Sequence, residues 1–281
     1  MIEQSLGKNY SRFVNVLIFI FPILINSVKV GGDIVLFILA VMGIFIAISK
    51  KLSPFNIKEI KVFSYLTAGY FIALCLAVLL SVKGIEQAPF LSRDLYFLFA
   101  PFIALAFYKA EINVSYLLAG VKVGLIVLAL ISFDQLESGN TRPSGVMNAD
   151  VFGNLAVSMF FVVLVFFKDE SFKYKIFTLV SLLSGLFVIV ASGTRGAWLS
   201  FLLLLVGYLY FLYKQKTLSS ARSKIIAVLI IAGVLSVVSL NQSVKDRTHL
   251  AYSETAAWLS GEKTPNSVSL RLEMYKTAID N

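Results

Sequence analysis

A single arginine stands in a glycine-flanked turn between two long apolar runs. The stretch SGTRGAWLS (Ser192–Ser200) follows IFTLVSLLSGLFVIVA and precedes FLLLLVGYLYFLY. Arginine presents a planar fork of donors that suits phosphate and pyrophosphate. The first amides of a following helix also favour an anion. These residue types at this spacing predict that Arg195 binds a phosphate-bearing ligand, with contact to lipid headgroups as the alternative.

The elements that must position this arginine are membrane-spanning helices. The chain of 281 residues is 58% hydrophobic and only 15% charged, against about a quarter charged in soluble domains. Long apolar runs recur, and backbone in lipid must bond internally. The sequence therefore predicts an all-α polytopic membrane protein with about nine transmembrane helices. They are expected near 13–28, 33–49, 62–81, 94–108, 115–134, 151–167, 176–192, 197–213 and 225–240.

The distribution of basic residues predicts the orientation of these spans. With a cytoplasmic N-terminus, fourteen Lys and Arg residues fall in inner segments and five in the short outer loops, as the positive-inside rule requires. We therefore expect a transmembrane domain over 1–240 and, over 241–281, the start of a periplasmic loop region with a helical tail. The net charge of +9 is then explained by orientation and anionic lipid, and it does not indicate nucleic acid.

Arginines, unlike lysines, concentrate on the predicted outer face. Besides Arg195, they are Arg93 at the mouth of the fourth span, Arg142 in the loop before the sixth, and Arg271 in the tail, together with Arg247. Their chemistry predicts a surface for an anionic, phosphate-bearing ligand. Headgroup contacts without a specific ligand are the alternative. The lone Cys75 lies in an apolar run and is expected to be a packing residue.

Three stretches in this order resemble the O-antigen ligase and polymerase superfamily of bacterial envelope glycosyltransferases. The first is SGTRGAWLS, the second is TRPSGVMNADVFGNLAVSMFF (141–161), and the third is SLRLEMYKTAID (269–280). By this resemblance Arg195 matches the arginine of the turn and Arg271 that of the periplasmic helix. Arg142 matches the earlier loop arginine, whereas Arg93 is assigned from position and chemistry alone.

The resemblance implies a metal-independent glycosyltransferase of the bacterial inner membrane, without a cofactor, acting in lipopolysaccharide biosynthesis. Such proteins take a glycan from an undecaprenyl-pyrophosphate carrier at the periplasmic face. A ligase attaches the glycan to lipid A–core, and a polymerase extends another carrier-linked chain. The pyrophosphate is the leaving group, and the arginines bind it.

The resemblance also predicts a histidine in the periplasmic loop after the arginine-led helix. The sequence stops at Asn281, and its one histidine, His249, precedes Arg271, so the catalytic role is not carried onto His249. We expect the family histidine beyond Asn281, the chain to be part of a longer or truncated product, and this part alone to be inactive.

Several other polar residues have simpler predicted roles. Lys122 is expected to snorkel towards the inner interface, and Trp198 to sit in the interfacial aromatic belt. Asn148 and Asp150 are expected to cap the helix that follows them. Asp134, Glu137 and Asp33 are plausible acceptor-orienting groups, with solvation at the interface as the default.

Two other classes of protein remain open at this stage. A polysaccharide transporter or flippase would also have many spans and phosphate-binding arginines, with charges deep inside spans. A non-catalytic membrane protein of envelope assembly is the other alternative.

Overall fold

The computed structural model describes residues 2–80, 88–166, 172–215, 252–258, 260 and 267–280, and these residues form helices joined by turns, with no strand among them. The longer helices are α1 (Ile2–Ser27), α2 (Gly31–Ser49), α3 (Lys58–Leu80), α4 (Ala88–Tyr108), α5 (Val114–Glu137), α6 (Ala149–Phe166), α7 (Phe172–Ala191), α8 (Arg195–Lys214) and α9 (Ser267–Asp280). The predicted all-α class is confirmed.

The first eight predicted spans overlap helices α1 to α8, but the predicted count of about nine transmembrane helices is not confirmed. Among the described residues, seven helices are long and apolar enough to cross a membrane: α1 from Gly7 onwards, α2, α3, α5, α6, α7 and α8. In α4 the apolar stretch Asp94–Tyr108 is shorter. The ninth predicted span, 225–240, lies outside the described residues, and α9 forms where the helical tail was predicted.

The helices pack in an order that differs from their order in the chain. Helix α5 is central, because it contacts α1, α6 and α7, while α8 packs on α6 and α7. Helix α1 also contacts α2, which packs on α4, and α4 contacts α3. One cluster of buried apolar side chains is formed by α5, α6, α7 and α8 together, and a second is formed by α1 and α2. The bundle has two ends. We call the one with the α7–α8 turn and the α5–α6 loop the turn end, and the one where α1 and α5 begin the N-terminal end.

Helices α1 and α5 approach each other backbone to backbone. A Cβ on Gly120 would lie 2.1 Å from the carbonyl oxygen of Phe19, and one on Gly124 would lie 2.8 Å from that of Pro22. Small residues at this spacing let membrane helices pack closely where lipid offers no hydrophobic driving force. This contact sets the position of α5 along α1, and therefore also the position of the α5–α6 loop that follows the end of α5.

The structure corrects the expectation for Lys122. Lys122 was expected to snorkel towards the inner interface, but it is only 6% exposed. Its side chain therefore lies within the bundle and does not extend along a lipid-facing surface. The reason is that α5 has neighbours on three sides. The facing helix α7 carries Thr178 and Ser181, both fully buried. A buried ionisable residue inside a membrane bundle is a candidate for function by default.

Candidate functional site

The site is built on the three-residue turn between α7 and α8. Helix α7 ends at Ala191 and α8 begins at Arg195. Gly193 has φ +61°, a left-handed conformation that glycine adopts without steric cost. Its amide donates to the carbonyl oxygen of Val190 at 3.2 Å. Gly193 therefore caps the C-terminus of α7, and α8 begins two residues later at Arg195.

Trp198 of α8 stabilises this turn by packing against the end of α7, and its side chain does not lie where it was predicted. The residue is 8% exposed, and its indole Nε1 donates to the carbonyl oxygen of Ile189 at 3.0 Å. The aromatic-belt prediction is therefore wrong, because the ring folds back onto α7. Beneath the turn, a Cβ on Gly153 of α6 would lie 2.6 Å from the Ser192 hydroxyl oxygen, so α6 supports the turn at close range.

Arg142 fastens the α5–α6 loop to the turn. Its Nε donates to the carbonyl oxygen of Ser192 at 3.2 Å, and its Nη2 donates to Thr194 Oγ1 at 3.3 Å. The same Nη2 makes an ion pair with Asp150 Oδ1 at 2.9 Å, with the side chains 30% and 45% exposed. These three contacts join α6, the loop and the turn into one unit around the start of α8.

The hydroxyl of Thr194 is committed to this unit. It donates to the carbonyl oxygen of Ala149 at 3.1 Å and accepts from Arg142. Thr194 is the N-cap residue of α8, yet its side chain makes no capping bond to the first amides of that helix. An N-cap threonine ordinarily accepts a hydrogen bond from one of the first backbone amides of its helix. Thr194 does not do so, and its side chain therefore leaves the first amides of α8 uncapped.

There is open space directly beside Arg195. Gly196 is exposed, and apart from its two chain neighbours and the backbone of its own helix, no described atom comes within 4 Å of the position that a Cβ there would take. Arg195 itself is half-buried and is the first residue of α8. An anionic group can thus approach a guanidinium and the positive end of a helix dipole at the same place.

Gln135 shapes the loop that carries Arg142, and the sequence reasoning missed it. Its Oε1 accepts from the amides of Ser144 at 2.9 Å and Gly145 at 3.1 Å, and its Nε2 donates to the Gly145 carbonyl oxygen at 3.0 Å. A sequence feature that could have indicated this role is an amide side chain in the last turn of an apolar helix, just before a glycine-containing loop. Such a side chain can satisfy loop backbone that lipid cannot.

The neighbouring polar residues divide between capping and pairing. The Asn148 side-chain oxygen accepts from the Asp150 amide at 2.9 Å, so the predicted capping role is confirmed for Asn148. The Asp150 carboxylate instead pairs with Arg142. Asp134 and Glu137 are exposed at the end of α5, and Asp33 of α2 and Tyr96 of α4 line one cavity together.

The described residues bring two of the four predicted arginines to one place. Arg142 bonds the residues immediately before Arg195, so both lie at the α7–α8 turn. Arg93 and Arg271 belong to α4 and α9, but their side chains, and all of His249, lie outside the described part of the chain. Pyrophosphate binding by these arginines stays a prediction. Across the described residues, no three His, Cys, Asp or Glu side chains come together as metal ligands would.

Comparison with known proteins gives one family. Residues 179–281 match the family described as O-antigen ligase. The matched region contains most of α7, the turn with Arg195, α8 and α9. It confirms the resemblance predicted from the sequence and supports a role of the glycan-ligase or polymerase type. A search of curated proteins found no match.

Proposed function

We propose that this protein is an O-antigen ligase that transfers a glycan from undecaprenyl pyrophosphate to lipid A–core. The transfer takes place at the periplasmic face of the bacterial inner membrane, during lipopolysaccharide biosynthesis. The observation that carries the proposal is the start of α8. Arg195 opens this helix inside the matched region, beside open space, and the N-cap hydroxyl of Thr194 is engaged elsewhere.

The chemistry of the donor explains why such a terminus is suitable. Cleavage of the sugar–pyrophosphate bond develops negative charge on the leaving oxygen. A guanidinium and a helix N-terminus that are already in place stabilise this charge without reorganisation, most strongly where water is excluded. In this proposal Arg195 binds the pyrophosphate and needs no metal to do so, with Arg271 and Arg93 as further ligands.

Arg142 has a double role in the proposal. Its Nε and Nη2 contacts hold the turn, so it positions Arg195. Because it lies at the same turn, it also adds to the positive potential that a pyrophosphate would meet, although the paired carboxylate of Asp150 offsets part of that charge. In this proposal the base that deprotonates the acceptor hydroxyl is a histidine, as the family resemblance implies.

The predicted orientation supports a periplasmic site. A cytoplasmic N-terminus places the α7–α8 turn, the Arg142 loop and the 241–281 tail on the same outer side. An O-antigen polymerase would use the same donor chemistry with a carrier-linked acceptor, and the family match supports it equally.

A polysaccharide transporter is the second candidate, and buried Lys122 favours it. Lys122 is 6% exposed within the bundle, and intramembrane charges often mark transport pathways. In that case, Lys122→Met would stop glycan movement, whereas a ligase would retain most of its transfer rate if the variant inserts normally.

The ligase proposal is tested by Arg195→Lys in the protein expressed in its native membrane. Lysine keeps the charge but loses the two-pronged geometry. Loss of one such transition-state contact costs about 2.7–4 kcal/mol, or roughly 10²–10³ in rate. The assay is transfer of carrier-linked glycan to lipid A–core, with membrane insertion checked by immunoblot.

The matched control lies at the other end of the same helix. Lys214→Arg changes a basic residue in the last turn of α8, and we expect it to leave transfer unchanged. A near wild-type rate for Arg195→Lys would mean that Arg195 is only a membrane anchor, and the proposal would fail.

A further inference from the structure

A polar cavity of about 500 Å³ opens at the N-terminal end of the bundle, opposite the proposed ligase site. Lys8 and Arg12 of α1 line one side, and Glu111 and Asn113 of the α4–α5 loop line the other. Two cations and one carboxylate leave an excess of one positive charge. The cavity is therefore electrostatically suited to a singly charged anion.

The walls of this cavity are held by hydrogen bonds. Asn15 is 6% exposed. Its Nδ2 donates to the carbonyl oxygens of Ser11 and Glu111, both at 2.9 Å, and its Oδ1 accepts from the Asn113 amide at 2.8 Å. The Ser11 hydroxyl oxygen accepts from the Glu111 amide at 3.0 Å. The loop is thus fastened to α1, and the pocket is preformed.

A second cavity lies beside the first and is lined by residues further along α1. It measures about 340 Å³ and is lined only by apolar residues, among them Ile18 and Phe21 of α1 and Leu39 of α2. Both cavities share Ile112 and Val114 as lining residues. A charged chamber and an apolar chamber therefore adjoin at the start of α5.

The two cavities together extend along α1 over about the thickness of one leaflet of a bilayer. Arg12 and Phe21 lie nine residues apart on α1, which is roughly 14 Å at 1.5 Å per residue. Half of a hydrocarbon core about 30 Å thick is roughly 15 Å. An amphiphile with its headgroup at Arg12 would place a hydrocarbon chain along Ile18 and Phe21.

From these observations we propose that α1, α2 and the α4–α5 loop bind a glycerophospholipid with an anionic headgroup. Lys8 and Arg12 hold the phosphate diester, since basic pockets between membrane helices favour anionic headgroups. One acyl chain fills the apolar cavity. Glu111 disfavours headgroups with more than one negative charge, because it opposes the second charge. This site is independent of the proposed ligase reaction.

The test is lipid titration of the purified 281-residue protein in detergent, followed by native mass spectrometry. The probes are dioleoyl phosphatidylglycerol, dioleoyl phosphatidylcholine and inorganic phosphate. A basic residue near a membrane surface contributes about 1 kcal/mol to the attraction for anionic lipid. We therefore expect Lys8→Gln with Arg12→Gln to weaken phosphatidylglycerol binding about thirty-fold.

The matched control is Lys50→Gln with Lys51→Gln, which removes two charges beyond the end of α2 without touching either cavity. We expect it to bind phosphatidylglycerol as the unaltered protein does. Equal binding by the Lys8/Arg12 variant and the control would overturn the proposal. So would phosphatidylcholine binding as tight as that of phosphatidylglycerol, because the site would then not select charge.

A second variant tests the apolar chamber. Leu117 lines that cavity and not the polar one, so Leu117→Trp should fill part of it. We expect weaker binding of dioleoyl phosphatidylglycerol and unchanged binding of a dihexanoyl analogue. Equal binding of the long-chain lipid would refute the acyl-chain assignment. Inorganic phosphate that displaces the lipid at similar concentration would show a free-phosphate site instead.

Discussion

Removing the hydroxyl of Thr194 should loosen the turn that carries Arg195. Valine has nearly the same shape, so Thr194→Val removes the oxygen and adds no bulk at a residue only 3% exposed. The bond to the Ala149 carbonyl oxygen at 3.1 Å and the bond from Arg142 Nη2 at 3.3 Å are both lost. Arg142 keeps its pair with Asp150.

The size of the effect follows from these two bonds. A neutral intramolecular hydrogen bond contributes about 1 kcal/mol net. The bond from Arg142 is long, and its donor retains a carboxylate, so we count it at about 1 kcal/mol as well. The local opening free energy should fall by about 2 kcal/mol, which corresponds to a roughly thirty-fold larger equilibrium constant for opening at 1.4 kcal/mol per tenfold.

Hydrogen–deuterium exchange read by mass spectrometry measures this opening. Amides of residues 192–197 should exchange roughly thirty-fold faster in Thr194→Val. In Thr194→Ser, which keeps the hydroxyl, they should stay within a few-fold of the unaltered protein. Thr67→Val is the distant control, because the Thr67 hydroxyl bonds its own helix α3. Unchanged exchange at 192–197 in Thr194→Val would show that the hydrogen bonds of the Thr194 hydroxyl do not hold the turn.

Two further predictions concern topology and helix packing. On a Cys75→Ala background, Lys245→Cys should react with an impermeant thiol reagent added to intact spheroplasts, and labelling only after permeabilisation would reverse the predicted orientation. Gly120→Ala should destabilise the protein by about 1–3 kcal/mol, because the new Cβ would lie 2.1 Å from the Phe19 carbonyl oxygen. Its control is Gly69→Ala on α3, where no described atom beyond the chain neighbours and the backbone of α3 itself comes within 4 Å of the added carbon. Equal thermal unfolding of the two variants in detergent would contradict close packing of α1 on α5.

Much of the site was open to prediction because its signals are local. Arg195 lies between Gly193 and Gly196 at an interruption between apolar runs, so its position at a helix start could be read from neighbouring residues. The same holds for Asn148, whose side chain caps a helix two residues away. In both cases the interacting groups are close in sequence.

The contacts that complete the site could not be read in this way. Arg142 meets Ser192 across fifty residues, and Trp198 turns inward onto Ile189. Lys122 is buried because α5 happens to be central. In a soluble protein, an apolar stripe would have indicated which face of α5 points inward.

For this protein, the sequence by itself determined the helical class, the places of helices α1 to α8 and the turn that presents Arg195. Lipid requires each span to satisfy its own backbone, so span positions follow from hydropathy alone. Only the tertiary structure decided which helices are neighbours, and hence that Arg142, Thr194 and Asp150 clamp the turn and that Lys122 is enclosed. The physical reason is that lipid-facing and protein-facing surfaces are both apolar, so close packing of small residues such as Gly120 selects the partners.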